Sequence, residues 1–331
     1  MTARYNCRVA GTGSYLPERE LTNFDLEKLV ETSDQWITER TGIRSRRVAA
    51  DNQVTSDLAL IAAKNALAMA HMTPNDLDAI IFATVSPDQL MPNSACVLQK
   101  KLGARDIMAL DISAACSGFI YGLSIANDMI AAGSYKNVLV IGAEILTRYM
   151  NYQDRDTCVL FGDAGGAVVA TRAEDDDSSR IYSHHLHADG TISDLFVFKM
   201  GGSAYPFSHE NLDKGYHHME MKGREIFKHA IRTMSQSCAE ALEHNKMSGA
   251  DVDWIIPHQA NIRIIEGVAK HFGIPLSKVI VEIERMGNTS AATIPVSLDR
   301  AVRDGRIQRG QNLLLTAFGA GITSGSLLMR F

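Results

Sequence analysis

The chain lacks most of the features that announce a function. It has no basic excess: 33 Lys and Arg against 38 Asp and Glu give a net charge of −5, which removes any general signal for nucleic acid. No apolar run reaches the roughly 18 residues that span a bilayer. The N-terminus has no basic stretch followed by an apolar one, so no signal peptide is visible. Both absences point to the cytoplasm. Five cysteines, Cys7, Cys96, Cys116, Cys158 and Cys238, are odd in number and scattered without Cys-x-x-Cys. They read as free thiols in a reducing compartment, not a disulfide framework. Gly11-Thr-Gly13 has Leu16 where a dinucleotide fingerprint needs its third glycine. Phe161-Gly-Asp-Ala-Gly-Gly166 leads into the strand-like Ala167-Val-Val-Ala170 and not into a helix, so a tight turn is favoured over a phosphate cradle.

What is present centres on Cys116, in Asp111-Ile-Ser-Ala-Ala-Cys116-Ser-Gly118. The small and apolar segment Phe119 to Ala132 that follows predicts a buried helix with Cys116 at its first turn. The helix dipole and unpaired N–H groups there favour a thiolate, which makes Cys116 a candidate nucleophile. His258, in Ile255-Ile-Pro-His-Gln-Ala-Asn261, and Asn288, in Arg285-Met-Gly-Asn-Thr-Ser-Ala-Ala292, lie far away in sequence in equally apolar settings. Alone, each has a bland reading: inert core cysteine, satisfied core histidine, plain turn. Together they form a candidate Cys/His/Asn triad.

A faint internal repeat strengthens the triad. Asp57 to His71 has helical spacing, and after a short acidic turn comes the strand-like Ala79-Ile-Ile-Phe-Ala83. Ile226 to His244 followed by Trp254-Ile-Ile-Pro-His258 repeats the unit, and Asn137 to Gly142 matches Asn312 to Thr316. The duplication places Cys116 and Asn288 at pseudo-equivalent helix starts and His258 at a strand end. The least organised stretch, Arg172 to Gly215, is expected to connect the halves through surface loops, with a strand over Thr191 to Phe198. Its acidic run, Glu174 to Asp177, reads as a solvated turn. His184, His185 and His187, with His209, His217 and His218, show no zinc spacing, so no metal is expected.

From about Val9 to Phe331 the chain resembles the β-ketoacyl-acyl-carrier-protein synthase III family, the initiating condensing enzymes within the thiolase superfamily. The resemblance rests on Gly11-Thr-Gly-Ser-Tyr-Leu-Pro17, Ser33-Asp-Gln-Trp-Ile37 with Arg40-Thr-Gly-Ile-Arg44, and the Cys116 segment. It continues through Phe161 to Gly166, Pro257-His-Gln-Ala-Asn-Ile-Arg263, Gly287-Asn-Thr-Ser290 and Phe318-Gly-Ala-Gly321. An Asn as third catalytic residue separates this branch from elongating enzymes (a second His), thiolases (a second Cys) and hydroxymethylglutaryl-CoA synthases (a Glu).

The resemblance implies an α/β fold of duplicated βαβ halves, five-layered α-β-α-β-α, divided as 1–180 and 181–331. It implies decarboxylative Claisen condensation of an acyl-CoA with malonyl-acyl carrier protein through an acyl-Cys116 thioester, in a homodimer and without a cofactor. His258 and Asn288 would donate hydrogen bonds to the enolate oxygen, and the N–H groups of Cys116 and Ala320 would form the oxyanion hole. It further implies that Trp36 and Arg155 sandwich the CoA adenine and that Arg40 and Asn261 line the CoA channel. Lys228 and Arg263 would meet the acidic carrier protein, and Met91 would close the partner's acyl pocket. Trp36 as a core anchor and the cations as ordinary surface charges are the bland readings of these. The 172–215 connection is longer than in compact members. Ser324 stands where many members have Trp, Met91 where a short-chain-specific member has Phe, and Arg224 where a smaller uncharged residue is common. These departures leave the triad intact and bear on primer and second substrate. Two other readings remain open: a specialised condensing or acyl-transfer enzyme with a longer primer or another acceptor, and a non-catalytic binding protein on the same fold.

Overall fold

A computed structural model describes residues 5–331. Two sheets carry the chain. The first has five strands: β1 (Cys7–Tyr15), β2 (Ala79–Ala83), β3 (Met108–Ile112), β4 (Asn137–Glu144) and β5 (Ala164–Arg172), in the order β1-β5-β4-β2-β3. The second has four: β6 (Arg180–Ala188), β7 (Trp254–Pro257), β8 (Asn312–Gly319) and β9 (Thr323–Arg330), in the order β7-β8-β9-β6. Read from its other edge, the second order repeats the first. In each sheet an antiparallel pair precedes a parallel one, β5·β4 then β4·β2 and β9·β8 then β8·β7. The counterpart of β3 is reduced to a single bridge between Ile255 and Val279.

The helices that matter for the site are α1 (Asp34–Thr41), α2 (Thr55–Met69), α3 (Gly118–Ala131), α4 (Gly223–His244), α5 (Ile262–His271) and α6 (Thr293–Arg303). Burial sorts them into layers. Phe119, Leu123 and Ala126 of α3 and Ile294, Leu298 and Ala301 of α6 share one core with Val138, Val140, Leu315 and Leu327, so these two helices lie between the sheets. Ala59, Ala62, Ala63 and Ala66 of α2 cover the outer face of the first sheet. Cys238 and Leu242 of α4, with Ile265 of α5, cover the outer face of the second. The result is the five-layered α-β-α-β-α arrangement.

Small residues set the spacing. A Cβ on Gly13 would lie 2.1 Å from the Ala62 carbonyl oxygen of α2, so Gly11-Thr-Gly13 exists to let a strand and a helix touch. The turn expected over Phe161 to Gly166 is shorter: the strand β5 begins at Ala164, and it is buried up to Thr171. The expected strand over Thr191 to Phe198 is shorter: Gly190–Leu195 is 3₁₀-helical and only Phe196–Phe198 is extended. Asp189 accounts for this, because its carboxylate accepts from Thr191 N at 3.1 Å and starts a turn. His184, His185 and His187 lie on β6, where His184 Nε2 meets Asp128 at 3.0 Å and His187 pairs with Glu240. Among the described residues no group of three or more His, Cys, Asp or Glu comes together to hold a metal, and no helix is long and apolar enough to cross a membrane.

Candidate active site

Cys116 lies on a 3₁₀ turn, Ala115–Ser117, between β3 and α3. It lines two cavities at once. One, of about 1090 Å³, is also lined by His258, Asn288, Trp36, Arg40 and Arg155. The other, of about 1170 Å³, is lined by Leu90, Ser290, Phe198 and Ala320. The nucleophile candidate therefore stands between two chambers.

The electrostatics at Cys116 differ from the sequence expectation. Burial pushes its thiol up to about 12, against the helix start that was expected to favour a thiolate. Ser290 pulls the other way without offsetting burial. Glu144 adds a further upward push. Glu144 is itself wholly buried, and burial raises it to about 7 even though Ser86, Val85 and Thr84 all donate to it. Desolvation outweighs the dipole because the whole thiol is dry, and burying a thiolate costs more than a helix terminus returns. The unliganded site therefore holds a neutral thiol.

His258 extends β7. Its N–H donates to the Thr316 carbonyl at 2.8 Å, and its Nδ1 lies 2.6 Å from Thr293 Oγ1. Burial alone drives its imidazole down to about 3, so it is neutral. Asn288 Oδ1 accepts from Ser290 N at 2.9 Å, which leaves the Nδ2 amide as the end free to face the cavity. Gln259, next to His258, is fully consumed by structure: it donates to the Pro257 and Ile280 carbonyls at 2.7 and 3.1 Å and accepts from Glu282 N at 2.8 Å. Gly319 lets β8 end against the nucleophile, since a Cβ there would lie 2.7 Å from Cys116 N.

The remaining candidates fall into two groups. Trp36, Arg40, Arg155, Asn261, Lys228 and Arg263 all line the His258 chamber. Arg155 already lies on the Trp36 ring, its guanidinium carbon 4.5 Å from the centroid, so a purine can enter between them only by parting them. Asn261 caps α5, accepting from Arg263 N at 2.9 Å and donating to the Arg40 carbonyl at 3.0 Å. Arg263 Nη2 donates to the Glu39 carbonyl at 2.9 Å while the side chain stays exposed; Lys228 is exposed as well. Met91 stands apart. It is 85% exposed and lines neither chamber of its own chain, whereas Leu90 beside it lines the second.

Three residues at the site escaped the sequence reading as agents in their own right: Glu144, Ser290 and Thr293. Thr293 and Glu144 carry no local signal, because their partners are 35 and about 60 residues away. Ser290 sat inside a matched motif, but nothing in the motif says that its backbone is left-handed, with φ 49°.

Known proteins agree with the geometry. The family model described as 3-oxoacyl-[acyl-carrier-protein (ACP)] synthase III matches residues 110–190, and its C-terminal companion matches residues 242–331. The beta-ketoacyl-[acyl-carrier-protein] synthase III of Caldanaerobacter subterraneus subsp. tengcongensis is 50% identical, covering 98% of this chain and 97% of that one. The enzyme of the same name from Xanthomonas campestris pv. campestris is 49% identical over the full length of both. The crystal structure of 3-oxoacyl-[acyl-carrier-protein] synthase III from Aquifex aeolicus superposes with a TM-score of 0.90 at 46% identity, covering 98% of this chain and all of that one. A cysteine between two chambers, faced by a histidine and an asparagine, thus sits in a chain that belongs to the β-ketoacyl-acyl-carrier-protein synthase III family.

Proposed function

We propose that the protein joins an acyl-CoA primer to malonyl-acyl carrier protein by decarboxylative Claisen condensation, giving a 3-oxoacyl-acyl carrier protein and starting fatty-acid synthesis. The observation that carries this reading is the position of Cys116, shared by two chambers, one lined by Trp36, Arg40, Arg155 and Asn261 and the other by Leu90, Phe198 and Met200. In the first half-reaction Cys116 Sγ takes the acyl group from CoA. The acyl chain goes to the chamber lined by Leu90 and Phe198, and the pantetheine arm to the one lined by Arg40 and Asn261. In the second, malonyl-carrier protein loses CO₂, and the Asn288 amide donates to the enolate oxygen with His258 beside it. Such a donor is worth most in a dry site. The carbon nucleophile attacks the thioester, whose oxygen is held by the N–H groups of Cys116 and Ala320. Every step uses the substrates and the chain's own groups, so the reading asks for no cofactor.

The rest of the assignment belongs to the same reading. Trp36 and Arg155 take the adenine, Lys228 and Arg263 the acidic carrier protein. The chain divides at 180/181 into two halves, works as a homodimer and resides in the cytoplasm, where five unpaired cysteines suit a reducing environment. Relatives near 50% identity that share one name favour this over a specialised acceptor. Incubation with a panel of acyl-CoAs, detection of the adduct by intact mass, and then addition of malonyl-carrier protein tests it. An adduct that forms on Cys116 and is not consumed by malonyl-carrier protein would overturn the choice of second substrate.

A further inference from the structure

Thr293, fully buried at the start of α6, makes two contacts through one hydroxyl. Oγ1 lies 2.6 Å from His258 Nδ1 and 3.0 Å from the Ser290 carbonyl oxygen. A hydroxyl has a single proton, and a carbonyl can only accept. If that proton pointed at the imidazole, two oxygens would face each other at 3.0 Å with nothing between them. The proton therefore lies on the Ser290 side, and Oγ1 accepts from His258. Nδ1 must then carry the ring's N–H. A neutral imidazole has only one, so Nε2 presents a lone pair to the cavity.

The backbone of the same residue, through its N–H, orients the other polar residue. Ser290 N donates to Asn288 Oδ1 at 2.9 Å, which turns the Asn288 amide donor outward. Ser290 can face both ways because its backbone is left-handed, at φ 49°. That conformation is costly for a residue with a Cβ and is kept where surrounding structure over-determines it.

We propose that Thr293 is a positioning residue: with the Ser290 peptide it fixes opposite polarities in the resting site, Asn288 as donor and His258 Nε2 as acceptor. This refines the expectation that both residues simply donate. With Nε2 bare, the Asn288 amide is the donor to the enolate oxygen, and His258 relays protons for Cys116 on the same cavity. As Sγ forms its bond to the acyl carbon and the bond to the CoA sulfur breaks, the thiol proton passes through Nε2 to that sulfur. CoA leaves as a thiol and His258 is neutral again. When the new carbon–carbon bond releases Cys116 as a thiolate, a solvent proton relayed through Nε2 restores the thiol. Overall one solvent proton is consumed, as the loss of CO₂ from a carboxylate requires.

The inference rests on the condensation reading, but its first test needs no turnover. The whole protein is labelled with nitrogen-15 histidine, and long-range proton–nitrogen spectra are recorded without substrate, with His258 assigned by its loss in His258→Asn. Wild type and Thr293→Ser are expected to show a protonated Nδ1 and a bare Nε2. Thr293→Val, which keeps the shape and removes the acceptor, should move the ring to the other tautomer or to a mixture. Its kcat for condensation should fall about 10²-fold, as for a misplaced reacting group, with KM for acyl-CoA unchanged and most of the rate restored in Thr293→Ser. A protonated Nε2 in the wild type overturns the inference and leaves the condensation reading standing. So does a Thr293→Val protein with wild-type spectrum and rate. Should Thr293→Val fail to fold, the wild-type and Thr293→Ser spectra still decide.

Discussion

The entries to α3 and α6 are the same piece of backbone put to different uses. Each helix follows a three-residue 3₁₀ turn, Ala115–Ser117 or Ser290–Ala292, whose first residue is left-handed without being glycine, at φ 47° for Ala115 and 49° for Ser290. In each, the helix's first residue donates its N–H back to that residue's carbonyl, Gly118 to Ala115 and Thr293 to Ser290. The turns meet in the interior, where a Cβ on Gly118 would sit 3.6 Å from Ala291 Cβ. Superposing them in sequence pairs Cys116 with Ala291 and Asn288 with Ser113, so the nucleophile and the asparagine are not true counterparts. The sequence repeat had placed them at equivalent points; the match is offset by three residues. The first half spends its strained turn on presenting a thiol. The second spends it on a peptide that orients two polar side chains.

The largest effect that could break this comparison is at the nucleophile. Cys116→Ala is expected to abolish acylation, and Cys116→Ser to abolish stable thioester formation, both read by intact mass after acyl-CoA. The other buried thiols, Cys7, Cys158 and Cys238, are no substitute, because none of them lines either chamber. The raised thiol also sets a pH behaviour. Because the neutral form dominates until about 12, alkylation of unliganded Cys116 by iodoacetamide should keep rising with pH without a plateau in the neutral range. A plateau near neutrality would mean that the helix entry wins over burial after all.

The second half should respond differently. Asn288→Ala removes one donor from the enolate oxygen, and the expected loss is on the order of 10²–10³ in condensation. Single-turnover acylation of Cys116 should survive, since Asn288 touches the other substrate. Equal loss in both half-reactions would make Asn288 a structural residue and would erase the division of labour between the two turns.

How much of this could be read from the residues follows the physics of each feature. Strands and helices were legible because burial on both faces forces apolar runs such as Ile80-Ile-Phe82 and Val138-Leu-Val140, and the repeat of such runs gave the two halves. The candidate triad could be picked out because polar residues inside apolar runs are rare, and the fold brings its three members to one cavity. The thiol's protonation was misread because a local dipole can be inferred from sequence and a desolvated pocket cannot. Thr293 was invisible for the same reason that most buried hydroxyls are: a Thr at a helix start has an ordinary local explanation, and only the fold brings it to His258.

A smaller effect is expected at the rim of the His258 chamber. Charge reversal at Lys228 or Arg263 should raise the apparent KM for malonyl-carrier protein, more at low salt than at high, and leave acyl-CoA kinetics nearly unchanged. Arg263 is the more constrained of the two, through its bond to the Glu39 carbonyl, so Lys228→Glu isolates charge from packing better. An unchanged KM at low salt would remove both from the docking surface.

The smallest effect concerns the chamber lined by Leu90. The 87–93 loop is pinned at both ends: Asp88 accepts from Ser56 N at 2.9 Å, and Asn93 accepts from Cys96 N at 2.8 Å and donates to the Ala109 carbonyl at 3.2 Å. Its tip carries Leu90 and Met91 outward, 75% and 85% exposed. Met91 lines no chamber of its own chain, so an effect on the acyl pocket would need the second copy that the proposed homodimer supplies. Met is unbranched and has three rotatable side-chain bonds, so it yields to an acyl tail where a phenyl ring would not. Each further methylene accommodated contributes up to about 0.8 kcal/mol. Wild type should therefore accept butyryl- and hexanoyl-CoA with kcat/KM comparable to acetyl-CoA, and Met91→Phe should shift preference back to acetyl. Leu90→Ala, which widens the chamber within one chain, should extend the range whether or not a partner is present. A strict acetyl preference in wild type that Met91→Phe leaves unaltered would place the stop elsewhere, on Phe198 or Met200, which line the chamber from the second half.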